Sequence, residues 1–273
     1  MEKLLQKPVE KLTFADDGMF QAVLRDPEIC AAFVERLLGV RVSRVDYPAL
    51  EKAIKPFYTS KGVRLDVYLK DEDKVIDVEM QAQPQDALGK RVRYYEAMVD
   101  MDCLMKGEDY TELKESYVLF ICKHDPFGHE KGKPFGLPRY TFKNVCQENS
   151  LVNLDDKSLK VIYNASAYEK EKNEKVRALL RFVQTNEPGT DDFSNRLSET
   201  VERLKENEDF KEDYAAMNLH DRDLIRMTKR EKAVEDATNM LNEDIPPEKV
   251  ARCTGLPLEQ VLELQQQPAP SQA

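Results

Sequence analysis

A chain of 273 residues, 41% hydrophobic and 34% charged, is long enough for one large domain or for a core with an appended module. Its net charge of -10 argues against a nucleic-acid partner held by a broad basic surface. No apolar run reaches the length of a membrane span, and MEKLLQKPVEKL lacks the shape of a signal peptide, so no membrane partner and a cytoplasmic setting are expected. Cys30, Cys103, Cys122, Cys146 and Cys253 are scattered, odd in number and without a CxxC, which argues against zinc and against a disulfide framework.

In chain order, TFADDGMFQAVL (13–24) carries Phe20, Val23 and Leu24 at helical spacing. Pro27 to Leu38 reads as an amphipathic helix opened by proline and closed by Gly39. Val40 to Tyr47 reads as a strand, and Pro48 to Ser60 as a connection with room for another short strand. Gly62 to Leu69 then alternates with period two. Val63, Leu65, Val67 and Leu69 fall on one face, Arg64, Asp66 and Tyr68 on the other. After a charged turn, Val75 to Gln81 puts Ile76, Val78 and Met80 on one face and Asp77, Glu79 and Gln81 on the other. Three acids and an amide thus share one side of a predicted hairpin. On a solvated face they are unremarkable; in a cleft they are oxygen ligands for a hard divalent cation.

Gln85 to Met105 reads as a helix with Lys90, Arg91 and Arg93 near its middle and Tyr95 four residues beyond Arg91. SYVLFIC (116–122) is a buried central strand by its unbroken apolar run. The Gly- and Pro-rich segment after it is a surface loop, and its His124 and His129 lack zinc spacing. Tyr140 to Phe142 and Leu159 to Tyr163 are further short strands. From about Tyr168 the chain becomes Lys/Glu-rich and helical, over roughly 169–184, 191–206 and 221–242, with a break at Asn186-Glu187-Pro188-Gly189. IPPEKVARCTGLPLEQVLEL has a helix–turn–helix rhythm, but its second helix opens with Leu258, Glu259 and Gln260 and no cation, so it reads as a packing hairpin rather than a DNA reader.

Asp66, twelve residues, Glu79, one residue, Gln81 is similar to the nuclease motif PD-(D/E)xK in an E-x-Q form. With DDGMFQAVL, RLDVYL, VIDVEMQ, KRVRYYEAMVD, LMKGEDYTELKESYVLFIC, DPFG and YTF in order, the chain resembles the PD-(D/E)xK putative transposases, or recombination-promoting nucleases. The resemblance implies an α/β, restriction-endonuclease-like core with a mixed central sheet flanked by helices and an α-helical C-terminal extension. The expected division is a core over 1–165, an acidic helical extension over 166–244, a small hairpin over 245–265 and a disordered tail.

It also implies a Mg2+-dependent DNA endonuclease, with Mn2+ as a substitute ion, whose activity promotes recombination. Asp66, Glu79 and the backbone carbonyl of Met80 would bind the metal, while Gln81, standing where the motif has Lys, would orient the attacking water. Asp17 would be a third acidic member of the site; as an N-terminal helix residue it also suits the helix dipole without any catalytic role. Arg91 and Arg93 would hold substrate phosphates. DNA is the expected partner, with homo-oligomerisation through the helical extension. The rival reading is a catalytically weak or inactive nuclease scaffold that acts as an interaction module.

Overall fold

The computed structural model describes residues 7–42, 49–54, 62–128, 133–189, 191–243 and 245–266. They divide into two compact units, one over Lys7–Lys211 and one taking in Glu212 onward. The division falls well beyond the composition change near Tyr168.

In the first unit, two helices lead the chain: α1 (Asp17–Leu24) and α2 (Pro27–Leu38). Asp26 caps α2 by accepting from the backbone N–H of Glu28 at 2.9 Å and of Ile29 at 3.1 Å. Gly39, at φ 73°, ends it in the left-handed conformation that glycine tolerates. The strand expected over 40–47 is not formed at Val40–Val42, and its remainder lies outside the described residues.

The sheet follows. β1 (Ala49–Ile54) lies inside the stretch read as a connection; β2 (Val63–Lys70) and β3 (Lys74–Gln81) form the expected hairpin. Helix α3 (Leu88–Cys103) crosses to β4 (Glu115–Cys122), and β5 (Arg139–Phe142) and β6 (Ser158–Asn164) complete six strands in the order β1-β2-β3-β4-β6-β5. β1, β2 and β3 pair antiparallel, β3, β4 and β6 run parallel, and β5 pairs antiparallel with β6. β4 lies between two parallel neighbours, and Val118 to Cys122 are all buried, as its apolar run requires.

Helix α3 packs on one face. Its Leu88 and Val92 meet Val118, Phe120, Cys122 and Ile162, while Met98 and Val99 meet Leu65, Tyr68 and Val75. On the other face, the Tyr163 hydroxyl donates to the Leu37 carbonyl at 2.6 Å and ties α2 to β6. Two further helices, α4 (Glu174–Thr185) and α5 (Asp192–Glu206), belong to this unit. Phe182 of α4 packs on Phe14, and Phe14 packs in turn on Phe20 and Phe33. Burying each such ring contributes about 1.5–3 kcal/mol. The apolar stripes of α4 and α5 are therefore core.

Helix α6 (Glu208–Asn242) starts thirteen residues before the expected Asp221 and continues into the second unit. There α7 (Pro247–Thr254) and α8 (Leu258–Gln266) form the predicted hairpin around Gly255, at φ 74°. Val250, Leu256 and Val261 bury against Ala237 of α6. Leu258 and Leu262 stay exposed.

Candidate active site

The acids converge where the β2–β3 hairpin opens. The pairing register runs from Lys70↔Val75 to Val67↔Val78, so Asp66 and Glu79 are the next positions, past the last paired residues. Beyond that point side chains replace the backbone ladder. The Asp66 N–H donates to Glu79 Oε1 at 2.8 Å, and the Met80 N–H donates to Asp66 Oδ2 at 3.0 Å. Each carboxylate is anchored to the other's strand.

One expectation is corrected here. Strict alternation sets Leu65 and Tyr68 on opposite faces, yet both pack in the cluster under α3. Lys52, paired with Leu65, and Tyr68 both bond Asp102 of α3, at 2.5 and 2.9 Å. The face parity of β2 therefore switches between Leu65 and Tyr68, at Asp66–Val67. The switch lets Asp66 reach both the hairpin backbone and α1, whose Gln21 donates from Nε2 to Asp66 Oδ1 at 3.3 Å.

Glu79, only 1% exposed, looks toward α3. Its Oε2 accepts from Arg91 Nη2 at 3.1 Å. The same guanidinium donates to Gln81 Oε1 and Gln85 Oε1, both at 2.7 Å, and to the Tyr95 hydroxyl at 3.0 Å. Its carbon lies 4.9 Å from the Tyr95 ring centre and 5.3 Å from that of Phe120, a cation–π arrangement. Gln81 also donates to the Gln83 carbonyl at 2.7 Å. Asp77 is wholly buried beside the Glu79 carboxyl, and among the described residues neither of its carboxyl oxygens finds a hydrogen-bond donor of good geometry.

The electrostatics follow from burial and crowding. Asp66 is pushed up to about 6, first by burial and then by Asp17; the Met80 N–H and Gln21 pull it down. Glu79 is raised by burial, then by Asp77 and Asp66. Asp77 is raised well above the carboxylate range by burial and Asp66. Three acids thus press on one another with Arg91 as their cationic neighbour, a cluster short of positive charge. Hard carboxylate oxygens with an orphaned buried carboxyl beside them fit a divalent cation. Among the described residues no group of three His, Cys, Asp or Glu side chains forms a ligand cage.

The expected residues divide accordingly. Asp66, Glu79, Gln81 and Arg91 come together. Asp17 is exposed at the first turn of α1, near enough to Asp66 to raise it. Arg93 is exposed, and no bond ties it to the acids among the described residues. Gln21, four residues past Asp17 on the same helix face and standing where the resembling family carries Lys, is the α1 group that touches Asp66. Sequence reasoning missed that Arg91 pairs with Glu79.

No curated protein and no solved structure matches this chain. A family model described as PD-(D/E)XK nuclease family transposase matches residues 19–244. The match spans well over half the chain and includes the hairpin, α3 and α1 from Met19 onward. The protein belongs to the PD-(D/E)XK nuclease family of transposases.

Proposed function

We propose that the protein is a divalent-cation-dependent DNA endonuclease, using Mg2+ or Mn2+, that hydrolyses phosphodiester bonds and so promotes recombination. The observation that carries this reading is the reciprocal anchoring of Asp66 and Glu79 at the open end of the hairpin. Asp66, Glu79 and the Met80 carbonyl would hold the ion, which would supply Lewis-acid charge to the phosphate. Gln81 can donate and accept but cannot carry a proton away, so its part is to orient water or a phosphate oxygen. Arg91, half-buried above Glu79 and Gln81, is within reach of the same anion. Tyr95 and Phe120 fix its plane. Gln21 and Asp17 hold and bias the Asp66 carboxyl from α1.

The test is nicking of plasmid DNA in Mg2+ or Mn2+. Wild type should nick, and Asp66→Ala and Glu79→Ala should each lose activity by about 100-fold or more. Equal nicking by all three would reject the assignment. One observation favours the interaction-module reading: Arg91 already neutralises Glu79 and occupies the Gln81 amide oxygen. Under that reading wild type neither nicks nor binds Mn2+.

A further inference from the structure

Beside Gln81, between the loop leaving β3 and the loop leaving β4, lies a small cavity of about 100 Å³. Its floor is apolar, made of Leu88 and Pro126 with the buried Cys122. The exposed Gln83, Gln85 and His124 line its mouth, and the buried Gln81 also lines it. Among the described residues no Lys or Arg lines it, and Asp125 at its wall is a carboxylate, so its chemistry suits a neutral polar edge better than a phosphate. Asp125 is itself fixed, accepting from the Phe127 and Gly136 N–H groups and from the Tyr140 hydroxyl. That braces the wall.

We infer that this cavity is a nucleobase subsite, receiving an unstacked base of the strand being cut. The inference rests on the nuclease reading and names a feature of its substrate. Three observations carry it. The first is position: the cavity opens at the carboxyl ends of the parallel strands β3 and β4, where open α/β sheets bind ligands. Gln81 stands two residues, about 7 Å, along the strand from Glu79. A nucleotide whose phosphate sits at Glu79 brings its base to Gln81.

The second is chemistry. Gln83 offers an amide donor and an acceptor and Gln85 a donor, which is what the edge of a heterocyclic base meets; Gln81 is committed to Arg91 and the Gln83 carbonyl. Gln85 gives its oxygen to Arg91 and keeps its amide hydrogens, and Gln83 makes no side-chain hydrogen bond among the described residues. Apolar side chains beneath such a rim suit the face of a base. The third is size. A closed cavity of about 150 Å³ takes a benzene ring. This half-open one, at about 100 Å³, is smaller than that and admits only the edge of a base, whose remainder stays outside the mouth. A base can enter only after leaving the stack. Single-stranded, frayed or mismatched DNA is therefore the preferred substrate over continuous duplex.

The experiment uses the full chain with Ca2+ in place of Mg2+ and oligonucleotides carrying 2-aminopurine, whose emission rises on unstacking. Anisotropy reports DNA binding on the same samples. Wild type should bind a duplex mismatched at the probe, raise its emission, and prefer it to the matched duplex by about tenfold. Gln83→Ala with His124→Ala, both exposed and outside the acidic cluster, should abolish the preference and the emission rise while leaving Mn2+ binding unchanged. Gln83→Trp, which fills the mouth, should do the same. DNA binding with flat emission, or equal emission from wild type and both variants, would overturn the subsite and leave the nuclease reading standing. Absence of Mn2+ binding by wild type would bring down the nuclease reading, and this inference with it.

Discussion

Arg91 is the residue on which the site turns. It bonds Glu79, Gln81, Gln85 and Tyr95 at once, so it acts as a resident cation inside an acidic cluster. A divalent ion entering at Glu79 must compete with it. Arg91→Met should therefore tighten Mn2+ binding by about 10-fold while lowering cleavage, as calorimetry and nicking on one preparation would reveal. Weaker Mn2+ binding would mean that Arg91 only shapes the ligands. The acids make a second prediction. Asp66 titrates at about 6 in the folded chain, against 3.8 for the ordinary group. The folded state holds its proton longer than the unfolded state does. The stability this contributes is complete below 3.8 and lost as pH rises through about 6. Thermal melts of the metal-free protein should fall from pH 5 to pH 8, and Asp66→Asn should remove roughly 1–3 kcal/mol of that loss. Mn2+ should raise the melt more at pH 8 than at pH 5; an equal rise at both would show that the ion does not meet these carboxylates.

At the scale of elements, the hairpin, α2, α3 and β4 were legible because their apolar periods are clean and their ends carry Pro, Gly or a charged turn. The face parity of β2 was not. Val63 to Leu69 alternates without a flaw in sequence, and the switch at Asp66 is visible only as a ladder that gives way to side-chain bonds. Composition likewise set the Lys/Glu-rich helices apart from the core. What joins α4 to it is an aromatic contact between Phe182 and Phe14, far apart in the chain, which no local pattern displays. Phe182→Ala should cost about 3–5 kcal/mol in denaturant unfolding of the whole chain. A loss under 1 kcal/mol would mark α4 as an appendage. The partner of Gln21 is hidden for a related reason: no local pattern sets Asp66 opposite α1.

For the whole molecule, acidity and nucleic-acid chemistry have to coexist. The chain carries a net charge of -10, and among the described residues the cation bonded to the site acids is Arg91, with the exposed Lys90 and Arg93 on the same helix. Affinity for DNA should then depend on the divalent ion far more than on monovalent salt. The slope of log affinity against log salt should be about -1 to -3, because only one to three phosphates meet a side-chain cation. A slope near -10 would reveal a basic surface that the sequence does not supply. The family match runs from α1 into α6 and so crosses from the first compact unit into the second. The central claim is that Asp66 and Glu79 share one divalent cation. Its most direct test is calorimetric titration of Mn2+ into wild type, Asp66→Asn and Glu79→Gln at pH 8. One saturable binding event in wild type, lost in both variants, is the predicted result; unchanged binding in either variant would contradict it.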